Sequence, residues 1–124
     1  MTPVSMFHQK IKSSEKILQS TLFRIDRLKV EVKPDIIHTH DVIERDDTIS
    51  VFPVTPENEV YLVRQFRYNF GKLTLESMSG FIEHGEAPLA AARRELKEET
   101  GIVAKQWKEL SKYHLAASVL KTTN

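Results

Sequence analysis

Residues 80–102 read GFIEHGEAPLAAARRELKEETGI, and the helix inside this stretch organises the rest of the reading. Pro88 stands where a first turn can spare an N–H. Gly101 stands where a left-handed cap ends the helix. The pattern therefore predicts a helix from Pro88 to Thr100, with Leu89, Ala92 and Leu96 as its buried stripe at i, i+3 and i+7. Glu95, Glu98 and Glu99 fall within roughly a 100° arc of one face. That placement opposes the helix twice. Like charges three or four residues apart cost about 0.2–0.5 kcal/mol per pair. Carboxylates near a C-terminus also meet the negative end of the macrodipole, at about 0.3–1 kcal/mol each. Such a face suits a cation, and an all-oxygen donor set suits hard Mg²⁺ or Mn²⁺. A solvated acidic surface is the other reading, and the commoner one for a lone E-x-x-E-E. Arg94 with Glu98, and Arg93 with Lys97, favour neither.

Around the helix the pattern is that of strands. Phe23 and Ile25 alternate, then Leu28, Val30 and Val32 alternate in the opposite phase, which predicts a bulge or tight turn at Asp26-Arg27. Lys33-Pro34-Asp35 is a turn, and Ile36 to Glu44 a further strand. TISVFPV (48–54) and VYLVRQF (60–66) are apolar strands joined by a turn at 55–59. Leu73 to Met78 is a short strand, and Gly80 to Gly85 a loop. Trp107 to Leu115 is a possible last strand. Residues 1–15 are polar and mixed, expected as a frayed end or short helix. Strands before and after one helix, without βαβ regularity, indicate an α/β (α+β) domain with a mixed sheet.

A chain of 124 residues allows one domain. Its 18 Lys and Arg against 17 Asp and Glu give no general pull toward nucleic acid or a membrane surface, and neither is expected as a partner. The absence of Cys excludes disulfides, thiolate catalysis and Cys–zinc sites. No apolar run approaches the ~18 residues of a membrane span, and the N-terminus lacks a signal-like apolar core. A cytoplasmic location is the expectation.

The wider spacing separates the two readings of the acidic face. Gly80, five residues, Glu86, seven residues, then Arg94-Glu95-Leu96-Lys97-Glu98-Glu99-Thr100-Gly101-Ile102 resembles the Nudix box, G-x5-E-x7-R-E-U-x-E-E-x-G-U with U aliphatic, at every fixed position. At background residue frequencies such a match arises by chance on the order of once in a billion starts. The resemblance implies a loop–helix–loop that binds Mg²⁺, with Mn²⁺ as a substitute, and hydrolyses a nucleoside diphosphate linked to another moiety. It implies that Glu95, Glu98, Glu99 and the main-chain carbonyl of Ser79 are metal ligands. It makes Glu86 the glutamate that opens the helix and tunes the metal shell, and Arg94 the arginine that orients a ligand glutamate. Catalytic positions on this basis are Glu86, Arg94, Glu95, Glu98 and Glu99.

The run LVRQFRY (62–68) followed by LESMSGFIEHGE (75–86) is similar to the ADP-ribose pyrophosphatase branch of this family. The resemblance makes Arg67 a substrate arginine, with Arg64 and Glu76 as further substrate-binding positions; a guanidinium fork matches phosphate oxygens. For each arginine the competing reading is a solvated edge-strand side chain, and for Glu76 a strand carboxylate pairing with a nearby Lys. The branch's Pro-Ala-Gly is Met78-Ser79-Gly80 here. HTHDVIER (38–45) fits the branch's N-terminal sheet, implying a homodimer through residues 1–45 ahead of a Nudix domain in 46–124. Related enzymes continue beyond the helix with more strands, a helix and a glutamate-bearing loop. The chain is thus expected to be C-terminally short. The implied reaction is hydrolysis of a nucleoside diphosphate sugar, ADP-ribose foremost, to AMP and ribose 5-phosphate; the alternative is a weak or inactive nucleotide-binding module or fragment.

Four residues stand outside this scheme. His84, in the loop before Glu86, reads as an ordinary loop histidine rather than a phosphate contact. His38 and His40 share one strand face, as two metal ligands could, or as ordinary half-exposed histidines do. Trp107 reads as core rather than as a base-stacking platform.

Overall fold

The computed structural model describes residues 9–121. It divides into two compact units, one of residues up to Asp46 together with those from Tyr113 onward, the other spanning Asp47–Lys112. Among the described residues no helix is long and apolar enough to cross a membrane.

The first unit is a four-stranded mixed sheet. β1 (Lys10–Gln19), β2 (Arg24–Lys33) and β3 (Ile36–Glu44) pair antiparallel in sequence order, and β4 (Leu120–Lys121) adds parallel to the end of β3. Pro34-Asp35 turns the chain between β2 and β3, with Asp35 in the left-handed region at φ 63°. Residues 10–15, expected as a frayed end or helix, are the first part of β1; residues 1–8 lie outside the described residues. At Asp26-Arg27 β2 stays in register with β3, and its one shift against that partner falls at Val32, between Glu31 and Lys33. The irregularity expected at Asp26-Arg27 falls on the strand opposite, where Lys16 faces Asp26 but Leu18 faces Ile25, so β1 bulges at Ile17. Charged cross-strand pairs tie the ladder. Arg27 donates two hydrogen bonds to Asp41, directly opposite, at 2.7 and 2.8 Å. Arg24 reaches Glu44 at 2.6 Å and Asp26 at 2.9 Å.

The second unit carries most of the buried core. β5 (Thr48–Val51) pairs antiparallel with β8 (Met78–Phe81), and β6 (Val63–Arg67) with β7 (Lys72–Glu76). α1 (Pro88–Thr100) packs on β8 and β5. Ile49, Val51, Met78, Ala91 and Leu96 form the core, with Val63, Ile82, Ala92, Ile102, Ala104 and Trp107 packed against it. α1 has the expected bounds, Pro at its start, and Gly101 capping it at φ 74° with its N–H on the Lys97 carbonyl at 2.8 Å.

Four expectations are corrected. The buried stripe of α1 runs through Ala91 and Leu96, while Leu89 is 45% exposed. Small alanines let the helix approach β5 and β8 closely. The strands expected over 48–54 and 60–66 are shorter, because Pro53 has no N–H to give the ladder and only an isolated Val54–Val60 bridge forms beyond it. The strand expected over 73–78 breaks at Ser77, where the chain leaves its β6 partner for β5, and Gly80-Phe81 belong to β8 rather than to a loop. No strand forms over 107–115; Trp107 joins the core instead. The expected α/β class with a mixed sheet is present, with one helix, α1, among the described residues.

Candidate active site

Arg94 is the residue that gathers the Gly80–Ile102 stretch. Its position on α1 points it back over β8 and the loop before the helix. Nε donates to Glu86 Oε1 at 3.0 Å and Nη2 to Glu86 Oε2 at 2.8 Å, a two-pronged pair. Nη2 also donates to the Phe81 carbonyl at 3.0 Å. Nη1 donates to Glu95 at 2.7 Å and reaches Glu98 at 3.4 Å. One planar fork thus joins strand, loop and helix, which a lysine's point charge could not do. Glu86 is held a second time by the Glu83 N–H at 3.0 Å. Arg94, followed by that N–H, keeps the Glu86 carboxyl below its ordinary range, and the glutamates keep Arg94 protonated.

Glu95 lies against Gly80. A Cβ on Gly80 would stand 2.6 Å from Glu95 Cγ and closer still to its carboxyl group, so the strand must offer bare backbone there. Ser79 precedes that glycine on β8, opposite Ser50. Burial, and then the neighbouring Glu95, push Glu99 up toward its protonated form. Glu98 is open, its side chain 60% exposed against 15% for Glu95.

The donor set fits a hard divalent cation in chemistry: carboxylates and main-chain carbonyls, no imidazole or sulfur, and two glutamates that disfavour each other as anions. As the side chains lie, no three His, Cys, Asp or Glu among the described residues converge into a metal cluster. Arg94 engages Glu95 and touches Glu98 in that arrangement.

The expected substrate-binding residues are not one cluster. Arg67 donates to both oxygens of Glu76, at 2.8 and 2.5 Å, and Thr74 donates to the same carboxylate. Arg67 and then Thr74 bring Glu76 down to about 2. Arg64 stands three residues from Arg67 and so on the opposite face of β6, exposed. Sequence reasoning missed Thr74, Glu83 and the Phe81 carbonyl. Thr74 was findable, since it shares the Glu76 face by strand alternation; the other two act through main-chain groups and leave no side-chain signal.

The NUDIX domain family matches residues 44–122, and the chain belongs to that family. An ADP-sugar pyrophosphatase of Mus musculus is 56% identical over 59 residues, covering 44% of this chain and 27% of its own. An ADP-ribose pyrophosphatase of Bacillus subtilis is 27% identical over 106 residues, covering 86% of this chain and 57% of its own. The crystal structure of an ADP compounds hydrolase superposes with a TM-score of 0.82 at 24% identity, over 93% of this chain and 63% of that one, a likeness of fold. The chain spans about half the length of the curated relatives it matches.

Proposed function

We propose that the protein hydrolyses the pyrophosphate bond of a nucleoside diphosphate sugar, with ADP-ribose as first candidate and AMP and ribose 5-phosphate as products. The observation that carries this reading is the Arg94 fork, which anchors Glu95 beside Gly80 and ties α1 to β8 through the Phe81 carbonyl. Family membership and the printed names of its relatives support the substrate class.

Glu95, Glu98, Glu99 and the Ser79 carbonyl would hold Mg²⁺ or Mn²⁺. Bound there, the ion offsets charge developing on the pyrophosphate oxygens and favours ionisation of the attacking water. The chain's own residues do the rest. Glu86 fixes Arg94, and Arg94 fixes Glu95, so the carboxylate face is oriented before substrate arrives. Water adds to one phosphorus, its proton passes to whichever of Glu98 and Glu99 keeps a carboxylate oxygen free of the ion, and the other phosphate leaves with the bond's electrons. Arg67, already aligned by Glu76 and Thr74, offers a guanidinium edge to substrate. A homodimer is supported by β1, an edge strand whose residues are exposed throughout.

The test is phosphate release from a panel of nucleoside diphosphate sugars with Mg²⁺ and a phosphatase. Turnover of ADP-ribose that disappears in Glu98→Gln and Glu99→Gln is the expected result. A nucleotide-binding module without turnover is the second reading, favoured by the lack of three converged carboxylates among the described residues. Binding of ADP-ribose without hydrolysis of any panel member would establish it instead.

A further inference from the structure

Two of the histidines that the hydrolase reading leaves unused, His38 and His40, lie together on the first unit's sheet. His38 and His40 are i and i+2 on β3, so both project from one face. Their ring centroids are 6.2 Å apart with the planes 46° from each other. Imidazole nitrogens bind a metal at ~2 Å, which puts each ring centre ~3 Å from the ion and sets a ceiling of ~6.4 Å between two rings on the same ion. The observed separation is inside that ceiling. Both side chains are exposed, and no side chain among the described residues hydrogen-bonds to either ring. Rotation about their own side-chain torsions is therefore inexpensive, and their nitrogen lone pairs are available.

The surroundings do not oppose a cation. In register across from His38 and His40 are Val30 and Leu28, and the next residues on the same face of β3 are Ile36 and Val42. No Lys or Arg occupies these neighbouring positions. β4 reaches only Ile43 and Glu44, so no strand among the described residues pairs along the rest of the outer edge of β3. The rigid ladder to β2 holds the two backbone positions at a fixed spacing.

We propose that His38 and His40 form a two-imidazole chelate for a borderline divalent transition cation, such as Cu²⁺ or Ni²⁺, with water filling the remaining positions. Nitrogen donors select these ions over Mg²⁺, so this site and the carboxylate face of α1 take different metals.

The experiment is calorimetric titration of the full chain with Cu²⁺, and separately with Ni²⁺, in the presence of excess Mg²⁺. One equivalent of Cu²⁺ should bind, and Ni²⁺ more weakly, following the order of divalent affinities. His38→Gln and His40→Gln, which keep a polar side chain at an exposed position, should each weaken Cu²⁺ by about tenfold or more, the loss expected when a chelate becomes a single ligand. Electron paramagnetic resonance of the Cu²⁺ form should show coupling to two imidazole nitrogens. His84→Gln should leave binding unchanged, and Mg²⁺-supported hydrolysis should be the same in His38→Gln as in the parent. Cu²⁺ binding that survives the double variant, that needs only one of the two histidines, or that excess Mg²⁺ displaces would overturn the proposal. The Cu²⁺ titrations and the resonance spectrum do not depend on turnover.

Discussion

Gly80 and Glu95 compete for one place, and Glu95 occupies it. Gly80→Ala must displace the carboxyl group from Arg94, because the new methyl would overlap it. The expected result is Mg²⁺ affinity reduced about 10–100-fold, the scale seen when a ligand's supporting contact is removed, read by calorimetry. Glu99 has the opposite relation to its surroundings. Burial and Glu95 both disfavour its charge. Glu99→Gln should leave metal-free stability equal or raise it by about 0.2–0.5 kcal/mol while weakening Mg²⁺ binding. Urea titrations without metal check this, and a marked loss of stability there would refute the cation-site reading of the face.

Two elements carry predictions of their own. The β6–β7 hairpin is tied by Arg67, Thr74 and Glu76 at its partly buried face. The folded Glu76 titrates at about 2 against an ordinary 4.5. The unfolded chain therefore takes up the proton first as pH falls. The tie stabilises fully above about 4.5 and its contribution is lost between there and about 2. Urea midpoints of the parent and Glu76→Gln should accordingly differ at pH 6 and draw together near the low end of that window. An Arg67→Ala protein should show a raised KM, and it also frees Glu76, so some loss of stability accompanies it. The end of α1 depends on backbone conformation instead. Gly101 sits at φ 74° with open space where a Cβ would go. Gly101→Ala should cost about 1 kcal/mol by conformational strain alone, measurable in the same urea assay, with no steric component.

For the molecule as a whole, the buried apolar set is small. Among the described residues Val30, Ile49, Val51, Met78, Ala91 and Leu96 are the buried hydrophobics. On β6 and β7, Phe66 and Leu73 face each other in register, as Arg64 and Leu75 do, and Phe66, Leu73 and Leu75 are each at least 60% exposed. Contiguous apolar surface of this kind promotes association. The chain should self-associate with rising concentration, measurable by light scattering across a dilution series. A mass equal to one chain at every concentration would contradict this.

The bounds and caps of α1, Pro88 to Gly101, were legible because their determinants are local. A helix closes hydrogen bonds within four residues and its caps are neighbours in sequence, so Pro88 and Gly101 mark its ends without reference to the rest of the chain. The acidic face follows from the same periodicity. What the sequence could not decide was everything that depends on which strand meets which. The break at Ser77, the bulge at Ile17 on β1 and the pairing of Arg67 with Glu76 all arise from contacts between segments that periodicity does not relate. The choice of Ala91 over Leu89 for the core is of the same kind. Both lie on or beside the apolar arc of α1, and only the closeness of β5 and β8 selects the smaller side chain. Local hydrogen bonding wrote the helix and its carboxylates into the sequence, whereas burial and strand partnership are properties of the folded chain.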